Sequence, residues 1–298
     1  MSKPTVFIVH GAWHTPAHYQ PFVDVLEEKG YPCVGPELPS GDTLTPESAP
    51  EDDIRLVRKI ASGLAEQGKE IVVLAHSYGG TVSTEALSGL GIKDRTVAGK
   101  AGGVRLLVYL AAFIAAGEEL LQDFAPPGMF PRKTKPSPLR PPDASDLFYS
   151  DVPEAEHEKW ASLWAATPAA CSQYLTKGLA YKNTDTAYIH TEQDAVFSAE
   201  AQRVLAGRVK DLGVEIREES LPSGHFPSIS VPKDEAQLSI CISNPGGQPR
   251  IKKFETGPVP SEKPKAFTQI TFLDVADESK HEAAKQAWLD LVAALGQS

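Results

Sequence analysis

The sequence predicts an α/β protein: a mostly parallel, doubly wound sheet carrying an inserted helical cap. Three observations lead there. Short, nearly continuous apolar runs alternate with segments of helical periodicity, as strands buried on both faces require. The alternation breaks after Gly117 and resumes near Thr186. In between, seven prolines fall in the seventeen residues from Pro126 to Pro142, a stretch that is expected to form no regular helix or strand. The expected division is a core of residues 1–114 and 185–298, with a cap of residues 115–184.

The first strand is read in Thr5 to Val9, a β-branched apolar run that stops at His10-Gly11. Residues Ala17 to Glu28 show helical spacing through Phe22, Val25 and Leu26, with Gly30 as the stop. Pro32 to Gly35 is a candidate second strand, followed by a Pro- and Ser-rich loop to Pro50. The next helix starts at Pro50, with Glu51, Asp52 and Asp53 at its positive end. Ile54, Val57, Ala61 and Leu64 share its buried face, and Gly68 closes it. Ile71 to Leu74 is a buried strand that runs into Ala75-His76-Ser77-Tyr78-Gly79-Gly80. A helix of small residues extends to about Leu90, and Val104 to Ala111 is another strand. In the cap, Glu154 to Ala166 reads as a helix with Trp160 and Trp164 at i, i+4. The core resumes with a strand at Thr186 to His190, a helix from Ser198 to about Lys210, and a strand from Glu215 to Leu221. Residues 231–276 read as an extra insertion with candidate strands Gln237–Ile242 and Phe267–Val275. A final helix opens at a capping box, Ser279 with Glu282.

A chain of 298 residues is long enough for one large domain of this kind. The formal charge of −10 argues against nucleic acid or an anionic membrane as the main partner. Cys33, Cys171 and Cys241 are few and far apart, so reduced thiols are expected rather than a disulfide framework. No segment reads as a signal peptide or membrane helix, and a cytoplasmic protein is the expectation. Nothing in the residues sets an oligomeric state.

Ser77 is the candidate nucleophile. It sits between a buried strand and a helix, with Ala75 two residues before and Gly79 two residues after, close to G-x-S-x-G. A serine on such a tight turn tolerates only small neighbours; the alternative is a chance serine in a Gly-rich turn, and the strand-to-helix context favours the catalytic reading. In this architecture the acid and then the base follow in chain order. Of the later histidines, His157 falls on the cap helix, His281 on the last helix, and His190 precedes the best carboxylate. His225, in the loop after the last sheet strand, is the candidate base. Asp194, in the loop after the preceding strand, is the candidate acid, with Glu192 in reserve. An oxyanion hole needs backbone N–H donors, and Ala12 and Tyr78 are best placed to supply them. His10, His14 and His18 are spaced like a metal-binding helix face, but Gly11 and Pro16 break that helix, so no metal is expected.

Together these residues resemble the α/β-hydrolase superfamily, and within it the branch of plant methylesterases, hydroxynitrile lyases and microbial esterases. The likeness is carried by Val9-His10-Gly11-Ala12-Trp13-His14, the Ser77 segment, Asp194, Gly224-His225, and Leu147 to Pro153. Lyases of the branch carry Thr in the oxyanion loop and Lys after the base, where this chain has Ala12 and Phe226. The resemblance therefore implies a hydrolase. A second departure is length: the family passes almost directly from the base to the last helix. The expected activity is hydrolysis of a small or medium apolar ester or lactone, through an acyl-enzyme on Ser77 and without a cofactor. Trp13, Phe113, Phe148, Trp164 and Phe197 are candidate pocket residues. Hydroxynitrile lyase or acyltransferase activity, and a receptor-like protein that binds without turnover, are the alternatives.

Overall fold

The computed structural model describes residues 3–41, 49–124, 138–139 and 144–243, all within one compact unit, Met1–Ile251. The N-terminal half is built from β1 (Thr5–Val9), α1 (Gln20–Glu28), β2 (Cys33–Val34), α2 (Ala49–Glu66), β3 (Glu70–His76), α3 (Gly79–Ala86), α4 (Ile92–Val97) and β4 (Gly103–Leu110). The middle holds β5 (Glu119–Leu120), β6 (Pro138–Leu139), α5 (Ser145–Phe148), α6 (Glu154–Ala161), β7 (Thr167–Pro168) and β8 (Leu175–Thr176). The core resumes with β9 (Asp185–Thr191), α7 (Ala199–Asp211), β10 (Ile216–Leu221), α8 (Pro227–Ser230) and α9 (Pro232–Ser243).

Six strands form one parallel sheet in the order β10-β9-β4-β3-β1-β2. The apolar runs explain the register. All five residues of β1 are buried, and so are Ile71 to His76 of β3, because helices cover both faces of the sheet. Because every strand points the same way, the loops after β1, β3, β9 and β10 emerge at one edge. That carboxyl edge is where ligands bind in open α/β sheets.

Three readings of the sequence are corrected. Gln237–Ile242 is not a strand but part of helix α9, which packs on α1. Leu238, Ile240 and Ile242 alternate like a strand when read alone. With Glu235, Ala236 and Ser239 included, burial recurs every three to four residues. The extra segment after Val231 thus begins as a helix directly behind the His225 loop. The second correction is that α6 ends at Ala161, so Trp164 is not on it. The chain tightens into i→i+3 bonds from Leu163 to Trp160 and from Trp164 to Ala161. Third, the proline-rich stretch does hold a strand, the two-residue β6 paired with β7. Such a short edge pairing tolerates proline. Helix α4 was not foreseen. The candidate strand Phe267–Val275 and the Ser279 helix lie outside the described residues.

Candidate active site

The loop after β3 is strained where the sequence places the nucleophile. Ser77 has φ +53°, in the left-handed region that a residue with a Cβ enters at a cost. Its N–H donates to Leu110 O (3.2 Å), and its own carbonyl accepts from Gly80 N (3.0 Å) and Phe113 N (3.2 Å). The turn survives because its neighbours are small. A methyl group on Gly79 would collide with the carbonyl oxygens of Val9 and His10. One on Gly11 would lie 2.9 Å from Ser77 Cβ, so β1 and its loop press directly on the serine.

His225, from the loop after β10, is buried against the same turn. His76 Nε2–H donates to its carbonyl oxygen at 2.9 Å, and the two rings lie 4.9 Å apart. His225 Nδ1 bonds Asp194 Oδ2 at 2.8 Å. Its Nε2 is buried and has no hydrogen-bond partner among the described residues. Asp194 is 8% exposed. Its Oδ1 accepts from the N–H groups of Val196 and Phe197, both at 2.8 Å. Its Oδ2 also accepts from Thr191 Oγ1 (2.8 Å) and Gln202 Nε2 (3.1 Å). Every partner is a donor, as an ionised carboxylate requires. Glu192, the reserve acid, is exposed and pairs with Arg203 instead.

Among the described residues, neither the Ala12 nor the Tyr78 N–H takes part in a hydrogen bond. The Trp13 N–H is spent on Thr167 Oγ1 at 2.7 Å. Tyr78 is held from α2: its hydroxyl donates to Asp53 Oδ2 at 2.8 Å, while Ser40 N donates to Oδ1 at 2.8 Å. Burial pushes the Asp53 carboxyl up to about 6.

The expected pocket residues divide. Phe148 lies 5.6 Å from the His225 ring, with Trp13 and Trp164 5.8 and 6.0 Å from Phe148. Phe113 is tied to the Ser77 turn by its backbone and packs on Phe124. Phe197 stands on the acid's side, holding Asp194 through its N–H. The sequence reading missed Thr191 and Gln202, which grip Asp194, and Asp151, whose Oδ2 accepts from Gly224 N at 2.6 Å next to His225. Gln202 lies a full loop and a helical turn beyond Asp194, and no local motif announces it. No group of three or more metal-ligating side chains occurs among the described residues.

A parallel sheet that delivers a strained serine, an acid and a histidine to one edge has the layout of an α/β hydrolase. The pattern of the alpha/beta hydrolase family matches residues 6–238, and the chain belongs to that family. It is 30% identical over 249 residues to the probable hydrolase R7 of a Phoma species, covering 78% of this chain and 95% of that one. It is 35% identical over 126 residues to the α/β hydrolase nvfD of Aspergillus novofumigatus, covering 42% of this chain and 50% of nvfD. The match thus spans only about half the length of that relative. Among solved structures, the Arabidopsis methylesterase MES16 shares the fold with a TM-score of 0.61, at 22% identity over 80% of this chain and 97% of that one.

Proposed function

We propose that the protein is a serine ester hydrolase with Ser77 as nucleophile, His225 as general base and Asp194 as the acid that orients it. One observation carries the reading: His225 is fixed through Nδ1 to Asp194 at 2.8 Å, its Nε2 is buried and without a partner among the described residues, and its carbonyl is held by His76, the residue before the strained Ser77. A carbonyl-bound Nε2 would already carry its proton, whereas a bare one can take the serine's. Ser77 attacks the ester carbonyl, its proton passes to His225 Nε2, and the alcohol leaves with that proton. Water then attacks the acyl-enzyme, again losing a proton to Nε2, and the acid is released as Ser77 is restored. Hydrogen bonds to the base are commonly long before substrate binds. Ala12 N–H and Tyr78 N–H, both unspent, would receive the developing oxyanion.

The aromatic surround of His225 suits an apolar acyl or alcohol group of small or medium size, an ester or a lactone. Phe226, where lyases of the branch carry a lysine, is fully buried among the rings of His14, Tyr19 and His76. A phenylalanine at that position offers no positive charge to stabilise a departing cyanide, which favours the hydrolase. A panel of p-nitrophenyl esters, methyl esters and lactones, run with Ser77→Ala as control, tests the proposal. Turnover that survives in Ser77→Ala would refute it.

A further inference from the structure

Two histidines that the proposed reaction does not use grip the loop after β1. His10 Nδ1 bonds Gly11 O at 2.9 Å, and His14 Nδ1 bonds Ala12 O at 2.7 Å. A carbonyl oxygen only accepts, so each Nδ1 carries the proton. In a neutral ring Nε2 is then the acceptor, and each has a group that can donate to it. Leu38 N–H donates to His10 Nε2 at 3.0 Å. The Tyr149 hydroxyl, which accepts from Trp164 Nε1 at 2.8 Å, lies 3.2 Å from His14 Nε2 and can donate its own proton to it. The Leu38 bond fixes His10 as the neutral Nδ1-protonated ring. Burial does the same for His14: it holds that ring well below the usual value, as it lowers His10 to about 4.

In a trans peptide the C=O and the following N–H point in opposite directions. Pulling Gly11 O toward His10 therefore aims the Ala12 N–H the other way, and that N–H is the unspent one. The next peptide is pinned at both ends, its Ala12 oxygen by His14 and its Trp13 N–H by Thr167. The loop needs the restraint, since Trp13 sits at φ +62°. We propose that His10 and His14 are positioning residues for the oxyanion hole, which clamp the peptides on either side of Ala12 and aim its N–H at the reacting carbonyl. This rests on the esterase reading above. It also gives the His10/His14 spacing, which looked like a metal face in the sequence, a role without metal.

Leucine at either position removes the Nδ1 donor. Asparagine keeps an N–H near the same place. His10→Leu and His14→Leu should each lower kcat for p-nitrophenyl acetate by about 10- to 100-fold with KM within about twofold. Inhibition by an aryl trifluoromethyl ketone, which forms a tetrahedral adduct on serine, should weaken by the same factor. The asparagine variants should recover to within about threefold of wild type. Leucine variants with unchanged kcat, or asparagine variants as poor as leucine, would overturn the proposal. If the leucine variants do not fold, ¹⁵N-histidine NMR of the wild type decides. Nδ1-protonated neutral rings at both positions from pH 6 to 8 are expected, and an Nε2-protonated ring at either refutes the clamp. Wild-type protein inert toward both the ester and a fluorophosphonate would instead sink the esterase reading, and the NMR result would still stand alone.

Discussion

Asp194→Asn is the substitution whose effect the hydrogen bonds specify most closely. The carboxylate is surrounded only by donors: two backbone N–H groups on Oδ1, and Thr191, Gln202 and His225 on Oδ2. An asparagine must present its NH₂ to one of these sides. Toward Val196 and Phe197 it meets two fixed amide hydrogens that cannot turn away. Toward the other side it meets Thr191, whose hydroxyl can rotate, Gln202, whose amide is held by Thr191 N and Phe197 O, and His225. The second choice is cheaper, and the imidazole accommodates it by moving its proton from Nδ1 to Nε2. The Nε2 proposed to take the Ser77 proton then already carries one and can no longer accept it. The same tautomer loss in a serine protease costs about 10⁴ in kcat, or about 5.5 kcal/mol of transition-state stabilisation. Stability should fall by only about 1–3 kcal/mol, the cost of the mismatched buried bonds. Steady-state kinetics on an activated ester, with urea unfolding alongside, measures both. An Asp194→Asn enzyme within tenfold of wild type, properly folded, would refute the tautomer argument.

Glu235 on α9 is fully buried with neither carboxyl oxygen hydrogen-bonded among the described residues, and burial raises it from 4.5 to about 8. The folded state holds this proton to higher pH than the unfolded chain, so its stability contribution is complete below pH 4.5 and is lost as pH rises through 8. Glu235→Gln should therefore gain on wild type between pH 5 and 8, by at most about 4–5 kcal/mol at about 1.4 per pKa unit. Parallel unfolding curves for the two proteins across that range would contradict this. Gly79→Ala should cost about 2–3 kcal/mol of stability and most of the activity, because its methyl group meets the Val9 and His10 carbonyls. A wild-type melting temperature would show that the turn is not packed as described. Gln202→Leu should leave Asp194 one donor short and lower kcat by about tenfold with little change in KM. Equal losses in KM alone would assign Gln202 to the pocket instead.

Much of the core was legible because its signals are local. β1 and β3 are unbroken apolar runs, and the Ser77 turn writes its steric demand into Ala75, Gly79 and Gly80 within six residues. Parallel strands deliver their following loops to one edge, so the paired Asp194 and His225 could be picked out by position as the candidate acid and base. What was not legible depends on distance or on competing periods. Gln202, Asp151 and Thr167 reach the site from other elements, and nothing beside them in the chain marks a partner. Helix α9 shows both a two-residue alternation and a helical stripe, and only its packing on α1 decides between them. The histidines at 10 and 14 carry a spacing that suggests metal, whereas their bonds run to backbone carbonyls one and two residues away.

The most direct trial of the central claim is to treat the purified protein with a fluorophosphonate and locate the adduct by peptide mass spectrometry. One phosphonyl group should appear per chain, on the peptide containing Ser77, and formation should slow at least a hundredfold in His225→Ala, about the cost of losing a general base. Modification at another residue, or none at all from a folded and soluble sample, would contradict the account.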